Sequence, residues 1–126
     1  MNVLDKLVSL EKMAAEFGFQ WENTAQIMRQ IQNECAEVQE HLPADAQDSY
    51  PEALQEEIGD LLHAVFSLCV FCKLSPQQTL IAALEKFERR MLSVKALAQS
   101  QGFTDLKGQS FETLMHFWDR AKELVG

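Results

Sequence analysis

Residues 52–72 read EALQEEIGDLLHAVFSLCVFC, and this stretch decides the fold class of the chain. Its apolar residues recur at helical spacing, and from Leu61 onward they surround the helix on nearly every side. Pro51, just before the stretch, suits a first helical turn. The pattern therefore predicts a central helix that neighbouring helices cover on several sides.

The rest of the chain has the same helical pattern, with few Gly and Pro residues and no strand-like alternation. We predict a first amphipathic helix that ends near Gly18 and a second from about Trp21 to His41. Ser75 and Gln78 form a capping-box pattern before a fourth helix that runs to about residue 99. Ser110 can cap a last helix. The prediction is one all-α domain over residues 1–126.

Composition excludes several functional classes. The 126 residues are 47% hydrophobic and carry 19 acidic against 11 basic side chains, a net charge of −8. Such a charge argues against a nucleic-acid binder, which needs a basic surface. No apolar run reaches the ~20 residues of a membrane span, and charged residues interrupt the first helix as no signal peptide does. We expect a cytoplasmic protein with free thiols, although Cys69 and Cys72 have the spacing of a redox pair.

Two pairs of acidic residues form the main chemical motif. Glu34 and Glu37 lie on the second predicted helix, and Glu57 and Asp60 lie on the third. Each pair has i, i+3 spacing, so its members are neighbours on one helix face. Because a short loop makes the two helices antiparallel neighbours, we expect the four carboxylates to converge.

The helical positions place these acids beside the apolar faces rather than on the open solvent side. Carboxylates held together repel, and partial burial increases the repulsion, so a cation is expected among them. Oxygen-only ligands favour Mg²⁺ or Mn²⁺ over zinc. Two alternatives stay open: an ordinary solvated acidic face, and a di-iron carboxylate site using Asp60 and His63. We predict instead that His63 is packed within the fold or faces a partner.

Basic residues lie on the fourth predicted helix. Lys86 and Arg90 are i, i+4 neighbours, so they can hold phosphate oxygens together. Pairing with nearby glutamates at the surface is the simpler alternative. Trp118 can stack on a nucleobase, or it can belong to the core or an interface.

Taken together, three strings resemble the MazG family of nucleoside triphosphate pyrophosphohydrolases. They are Glu34-x-x-Glu37, the string EEIGDLL at residues 56–62 and the string KFERR at residues 86–90. The likeness runs from the FGFQW string at residues 17–21 to Trp118. It is closest to the C-terminal of the two domains of full-length MazG.

The resemblance implies an antiparallel helical bundle of the all-α NTP pyrophosphohydrolase type, which dimerises or forms a tetramer. It implies Mg²⁺ bound by Glu34, Glu37, Glu57 and Asp60. The substrate would be a nucleoside triphosphate, cleaved by water to the monophosphate and pyrophosphate. Lys86 and Arg90 match phosphate-contacting positions, and Trp118 matches an aromatic residue near the nucleotide. For the base that takes the proton from water, we select Glu37.

Four positions depart from the family pattern: Asn33 replaces a Glu, Ala53 a frequent Lys, and Ser67 and Leu84 frequent Asn residues. An Asn binds metal less strongly than a carboxylate and cannot act as a base. The departures therefore support an alternative, a degenerate domain that binds nucleotide or only dimerises. All four predicted metal carboxylates are present, which favours the enzyme.

Overall fold

A computed structural model describes residues 2–126, and that range contains five α-helices. They are α1 (Val3–Glu16), α2 (Thr24–Glu40), α3 (Glu52–Phe71), α4 (Pro76–Ser100) and α5 (Phe111–Val125). No strand occurs among these 125 described positions, so the prediction of an all-α fold is confirmed. The three cysteines are free thiols.

Side-chain caps set most of the helix starts. The Ser75 and Ser110 hydroxyls accept hydrogen bonds from the backbone N–H groups of Gln78 and Thr113, each at 3.1 Å, as the sequence predicts. Asn23 caps α2 in the same way, through the N–H of Gln26 at 2.9 Å. Because Asn23 is the cap, α2 begins at Thr24 and not near Trp21, which corrects the predicted boundary.

Gly18 follows the last turn of α1 and its C-cap, Phe17. Its φ of +97° lies in the left-handed region, which glycine adopts without steric cost. The N–H of Phe19 then donates to the carbonyl oxygen of Ala14 at 2.9 Å, which satisfies one of the free carbonyls at the helix end. The predicted helix end at this glycine is confirmed.

The chain divides into two compact units, the first ending at Thr79 and the second spanning Leu80–Gly126. In the first unit α2 packs along α3, and α1 packs on α3 over a smaller area. Ile27 and Leu54 are buried in this unit. The pairing of α2 with α3 gives the first unit its shape and positions the acidic residues.

The second unit has its own apolar core, formed by Val94, Ala98, Phe117 and Ala121. The ring of Phe103 meets that of Phe117 edge to face, with 5.7 Å between their centroids. This geometry is favourable for aromatic pairs beyond the area they bury. The second unit is therefore held by a compact contact between α4 and α5.

One face of α3 stays uncovered in the single chain. Three large apolar residues on this face are between 41% and 54% exposed: Ile58, Leu62 and Val65. Helices α1 and α2 both pack on α3, and they leave this face exposed. Among residues 2–126 no single helix is long and apolar enough to cross a membrane, although α3 and α4 taken together across their bend meet that test.

The core of the second unit yields a stability prediction. Phe117→Ala removes a ring that is only 2% exposed, and we expect a loss of about 3–5 kcal/mol in the free energy of unfolding. Phe111→Ala is the matched control, because that ring begins the same helix and is 73% exposed. Urea denaturation of both variants measures the difference. Equal losses in the two variants would contradict the core assignment.

Candidate metal centre

Helices α2 and α3 bring three acidic side chains together. One carboxylate oxygen each from Glu34, Glu57 and Asp60 lies within 4.8 Å of the other two. Glu34 and Glu57 are half-buried, and Asp60 is exposed. The residues come from the last half of α2 and the first half of α3, which is the register of an antiparallel pair. Three of the four carboxylates expected to converge therefore do so.

The fourth predicted ligand, Glu37, lies beside this trio rather than within it. Burial is the main cause that raises the pKa of the Glu57 carboxyl above its ordinary value. Repulsion from the Glu37 carboxylate is the second cause, and Asp60 and Glu34 add smaller contributions in the same direction. Glu37 is thus close enough to interact electrostatically with Glu57 without belonging to the trio.

Two polar neighbours support the acidic residues. The Gln30 side-chain amide donates to the Glu34 carboxylate at 2.6 Å, which fixes its orientation. The His41 ring nitrogen Nδ1 is 2.9 Å from the backbone oxygen of Glu37, and this hydrogen bond raises the pKa of His41, with smaller contributions from the charges of Glu57, Glu37 and Glu40. The imidazole in turn lowers the pKa of Glu57. Gln30 precedes Glu34 by four residues, and His41, the C-cap of α2, follows Glu37 by four residues.

The donor set fits a hard divalent cation. All three donors are carboxylate oxygens, and neither sulfur nor ring nitrogen belongs to the trio. Such ligands favour Mg²⁺ or Mn²⁺, and a bound cation would relieve the repulsion that raises the pKa of Glu57. Glu34, Glu57 and Asp60 are therefore the residues that could hold the metal.

His63 does not join the acidic trio. Its Nε2 atom lies 2.7 Å from Oε1 of Glu11 on α1, and its side chain is 66% exposed. The ring is therefore exposed rather than packed, and the expectation that His63 faces a partner stays a prediction. With His63 engaged there, the di-iron alternative has no histidine ligand in the trio.

The predicted phosphate-binding residues lie in the second unit. Lys86 is exposed on α4. The guanidinium of Arg90 lies 5.4 Å from the ring centroid of Trp118, and its Nε donates to the backbone oxygen of Gly126 at 2.9 Å. The ring of Phe87 packs near the same indole at 6.0 Å. Arg90 is thus held in place by its neighbours, a contact that sequence spacing alone did not reveal.

An all-α fold with three clustered carboxylates on two paired helices defines a helical domain with a candidate metal centre. The model of the MazG nucleotide pyrophosphohydrolase domain matches residues 22–94, more than half of the chain. This protein therefore belongs to the MazG family. The matched range includes the acidic trio and the KFERR string.

Curated relatives agree with that assignment. The nucleoside triphosphate pyrophosphohydrolase/pyrophosphatase MazG of Thermotoga maritima is 30% identical over 113 residues, which cover 90% of this chain and 41% of the relative. The nucleoside triphosphate pyrophosphohydrolase of Escherichia coli K12 is 29% identical over 122 residues, which cover 97% of this chain and 45% of the relative. The chain thus spans less than half the length of these two relatives.

Replacing Glu57 by Gln tests the acidic trio. A carboxyl with a raised pKa destabilises the folded state once it ionises, so stability falls as pH rises from the ordinary glutamate pKa through the raised one. Without metal, Glu57→Gln should therefore melt at a higher temperature than the parent at neutral pH, and this advantage should vanish near pH 4. Millimolar Mn²⁺ should raise the melting temperature of the parent more than that of the variant.

The matched control is Glu56→Gln, which removes one charge from the neighbouring exposed position on α3. It should leave the metal response unchanged. Melting curves recorded at constant ionic strength give the comparison. A parent protein whose melting temperature ignores Mn²⁺ and Mg²⁺ would show that the trio does not bind metal.

Proposed function

We propose that this protein is a Mg²⁺-dependent nucleotide pyrophosphohydrolase that cleaves nucleoside triphosphates to the monophosphate and pyrophosphate. The observation that supports the proposal most strongly is the convergence of Glu34, Glu57 and Asp60 on two paired helices of a MazG-family chain. The activity for which the relatives from Thermotoga maritima and Escherichia coli are named agrees with it. We propose that the protein acts in the cytoplasm, where cysteine thiols stay reduced.

In this proposal three acidic residues bind the metal ion, and a fourth acts as the general base. Glu34, Glu57 and Asp60 hold Mg²⁺, or Mn²⁺ in its place. When bound, the cation supplies charge neutralisation and Lewis acidity at the triphosphate, which an acidic protein would otherwise repel. Gln30 keeps the Glu34 carboxylate in one orientation. Glu37, whose side chain lies outside the trio, accepts a proton from the attacking water as the bond between the α- and β-phosphoryl groups breaks.

Basic residues are assigned to the phosphates of the substrate. Lys86 and Arg90 contact phosphate oxygens in this proposal, and Trp118 holds the Arg90 guanidinium ready for that contact. The Arg90 guanidinium lies over the indole ring of Trp118. If Arg90 contacts the phosphates, Trp118 therefore lies beside the nucleotide. The pre-placed guanidinium loses less freedom when it meets the substrate.

The main experiment is a screen of the standard and non-standard nucleoside triphosphates with Mg²⁺, which measures release of pyrophosphate. We expect hydrolysis by the parent and a loss of at least about a hundredfold in kcat for Glu37→Gln, the size typical of a lost general base. Glu40→Gln, an exposed acid one turn further along α2, should retain activity. The absence of pyrophosphate with every substrate would overturn the proposed activity.

A degenerate domain is the second candidate, and particular positions favour it. Asn33 and Ala53 are exposed and carry no charge where the family has charged residues. Leu84 offers an exposed apolar side chain in place of an amide. The degenerate domain would bind a nucleoside triphosphate with metal, or only dimerise, and release no pyrophosphate.

Arg90 provides a test of the phosphate contact. Arg90→Ala removes a charge-assisted hydrogen bond worth about 1.5–3 kcal/mol, so kcat/KM should fall roughly ten- to hundredfold. Arg89→Ala removes an equal charge from the adjacent exposed position and should change kcat/KM little. Both variants are assayed well below their melting temperatures, because Arg90 also packs on Trp118. Equal activities of the two variants would remove Arg90 from the site.

We also propose that the chain forms a homodimer or a tetramer through the uncovered apolar face of α3. Ile58, Leu62 and Val65 lie on that helix and are each more than two-fifths exposed. Burying such residues between copies resembles an obligate interface. Sedimentation at micromolar concentration should show an oligomer, and Leu62→Asp should dissociate it. A monomeric parent would contradict this assembly.

A further inference from the structure

A cavity of about 800 Å³ opens in the first unit between α1, α3 and the loop that joins α1 to α2. Its walls are mainly apolar and include the aromatic rings of Phe19, Trp21 and Phe71. The volume lies in the range of small-molecule sites, and flat rings in such walls suit a flat ligand. None of the roles proposed above uses this cavity.

A half-buried carboxylate, that of Glu11, lines this mainly apolar space. Oε1 of Glu11 accepts a hydrogen bond from the Ser67 hydroxyl at 2.6 Å and lies 2.7 Å from Nε2 of His63. Ser67 is 4% exposed, and all three residues line the cavity. Within residues 2–126, Oε2 of Glu11 makes no hydrogen bond, so this oxygen remains able to accept one from a ligand.

The cavity also lies on the same side of α3 as the metal centre. Asp60, His63 and Ser67 follow one another at i, i+3 and i+7, which places them on one helix face. Ser67 is about 10 Å further along the helix axis than Asp60. A ribose with its first phosphate bridges such a gap, so a nucleotide with its phosphates at the acidic trio can reach the cavity with its base.

We propose that this cavity receives the nucleobase of the substrate and that Oε2 of Glu11 accepts a hydrogen bond from an exocyclic amino group. The proposal rests on the proposed function, since it assigns the far end of the same substrate. It predicts a preference for cytosine and adenine over uracil. In uracil, the amino group of cytosine is replaced by a carbonyl oxygen, and the remaining ring N–H stands between two carbonyls. The Glu11 carboxylate then faces carbonyl oxygens, which cannot donate a hydrogen bond to it.

Nucleosides test this assignment without phosphate, metal or hydrolysis. Cytidine and uridine are titrated into the full chain at millimolar concentrations, and the NMR shifts of the Trp21 indole N–H and the Ser67 amide are followed. We expect cytidine to shift both signals and to bind roughly tenfold more tightly than uridine, the ratio given by one hydrogen bond to a charged group. Adenosine should behave like cytidine.

The variant Glu11→Gln keeps the shape of the side chain and can still accept from Ser67, so the fold should be retained. Its amide can also donate to a carbonyl oxygen, so the ratio of cytidine to uridine affinity should fall close to one. Glu16→Gln, at an exposed position of the same helix, is the control and should keep the parent's ratio. If Glu11→Gln does not fold, the parent's own ratio decides the question.

The outcomes separate this inference from the function on which it rests. Equal shifts with both nucleosides, or no shifts, overturn the base assignment even if nucleoside triphosphates are hydrolysed. A cytidine preference that survives Glu11→Gln overturns the role of Glu11. If the cavity selects cytidine through Glu11 but no triphosphate yields pyrophosphate, the base site stands and the proposed hydrolysis fails.

Discussion

Repulsion among acidic groups at the contact between α2 and α3 is the constraint on which the first unit depends. Three carboxylate oxygens lie within 4.8 Å of one another, and burial, together with repulsion from Glu37 and the other acids, raises the pKa of Glu57. Apolar contacts such as those of Ile27 and Leu54 hold the pair together against that repulsion. A divalent cation would reverse the balance, so metal binding and stability of this helix pair are linked.

The sequence predicts what depends on local spacing and misses what depends on distant packing. The i, i+3 acidic pairs and the serine caps could be read directly, because helical geometry alone places those atoms. The contact of Glu11 with Ser67 joins residues 56 positions apart, and the contact of Arg90 with Gly126 joins residues 36 positions apart. Neither has a spacing rule, since each depends on how whole helices pack. Periodicity likewise shows that a face of α3 is apolar, but it does not show what covers that face.

Polar support around the acidic residues comes from side chains close to the family's altered positions. Ser67 stands where an Asn is frequent, and here its hydroxyl binds Glu11 on α1 instead of remaining free. Asn33 replaces an acid, while Gln30 supports the neighbouring Glu34. These contacts keep buried polar atoms satisfied, and no buried side-chain nitrogen or oxygen in residues 2–126 lacks a partner. The Ser67 departure is therefore part of the hydrogen bonding of the fold.

Helix α1 contains no fully buried residue, and the Glu11 carboxylate joins it to α3 through two short hydrogen bonds. Segments with few buried apolar contacts open at a lower free energy than the protein as a whole. Helix α1 should therefore behave as a separate cooperative unit, whose amide hydrogens exchange with solvent earlier than those of α3. Each such opening would expose the α3 residues that line the cavity while α2 and α3 stay paired. The rate at which α1 opens would then set the rate at which molecules enter and leave the cavity.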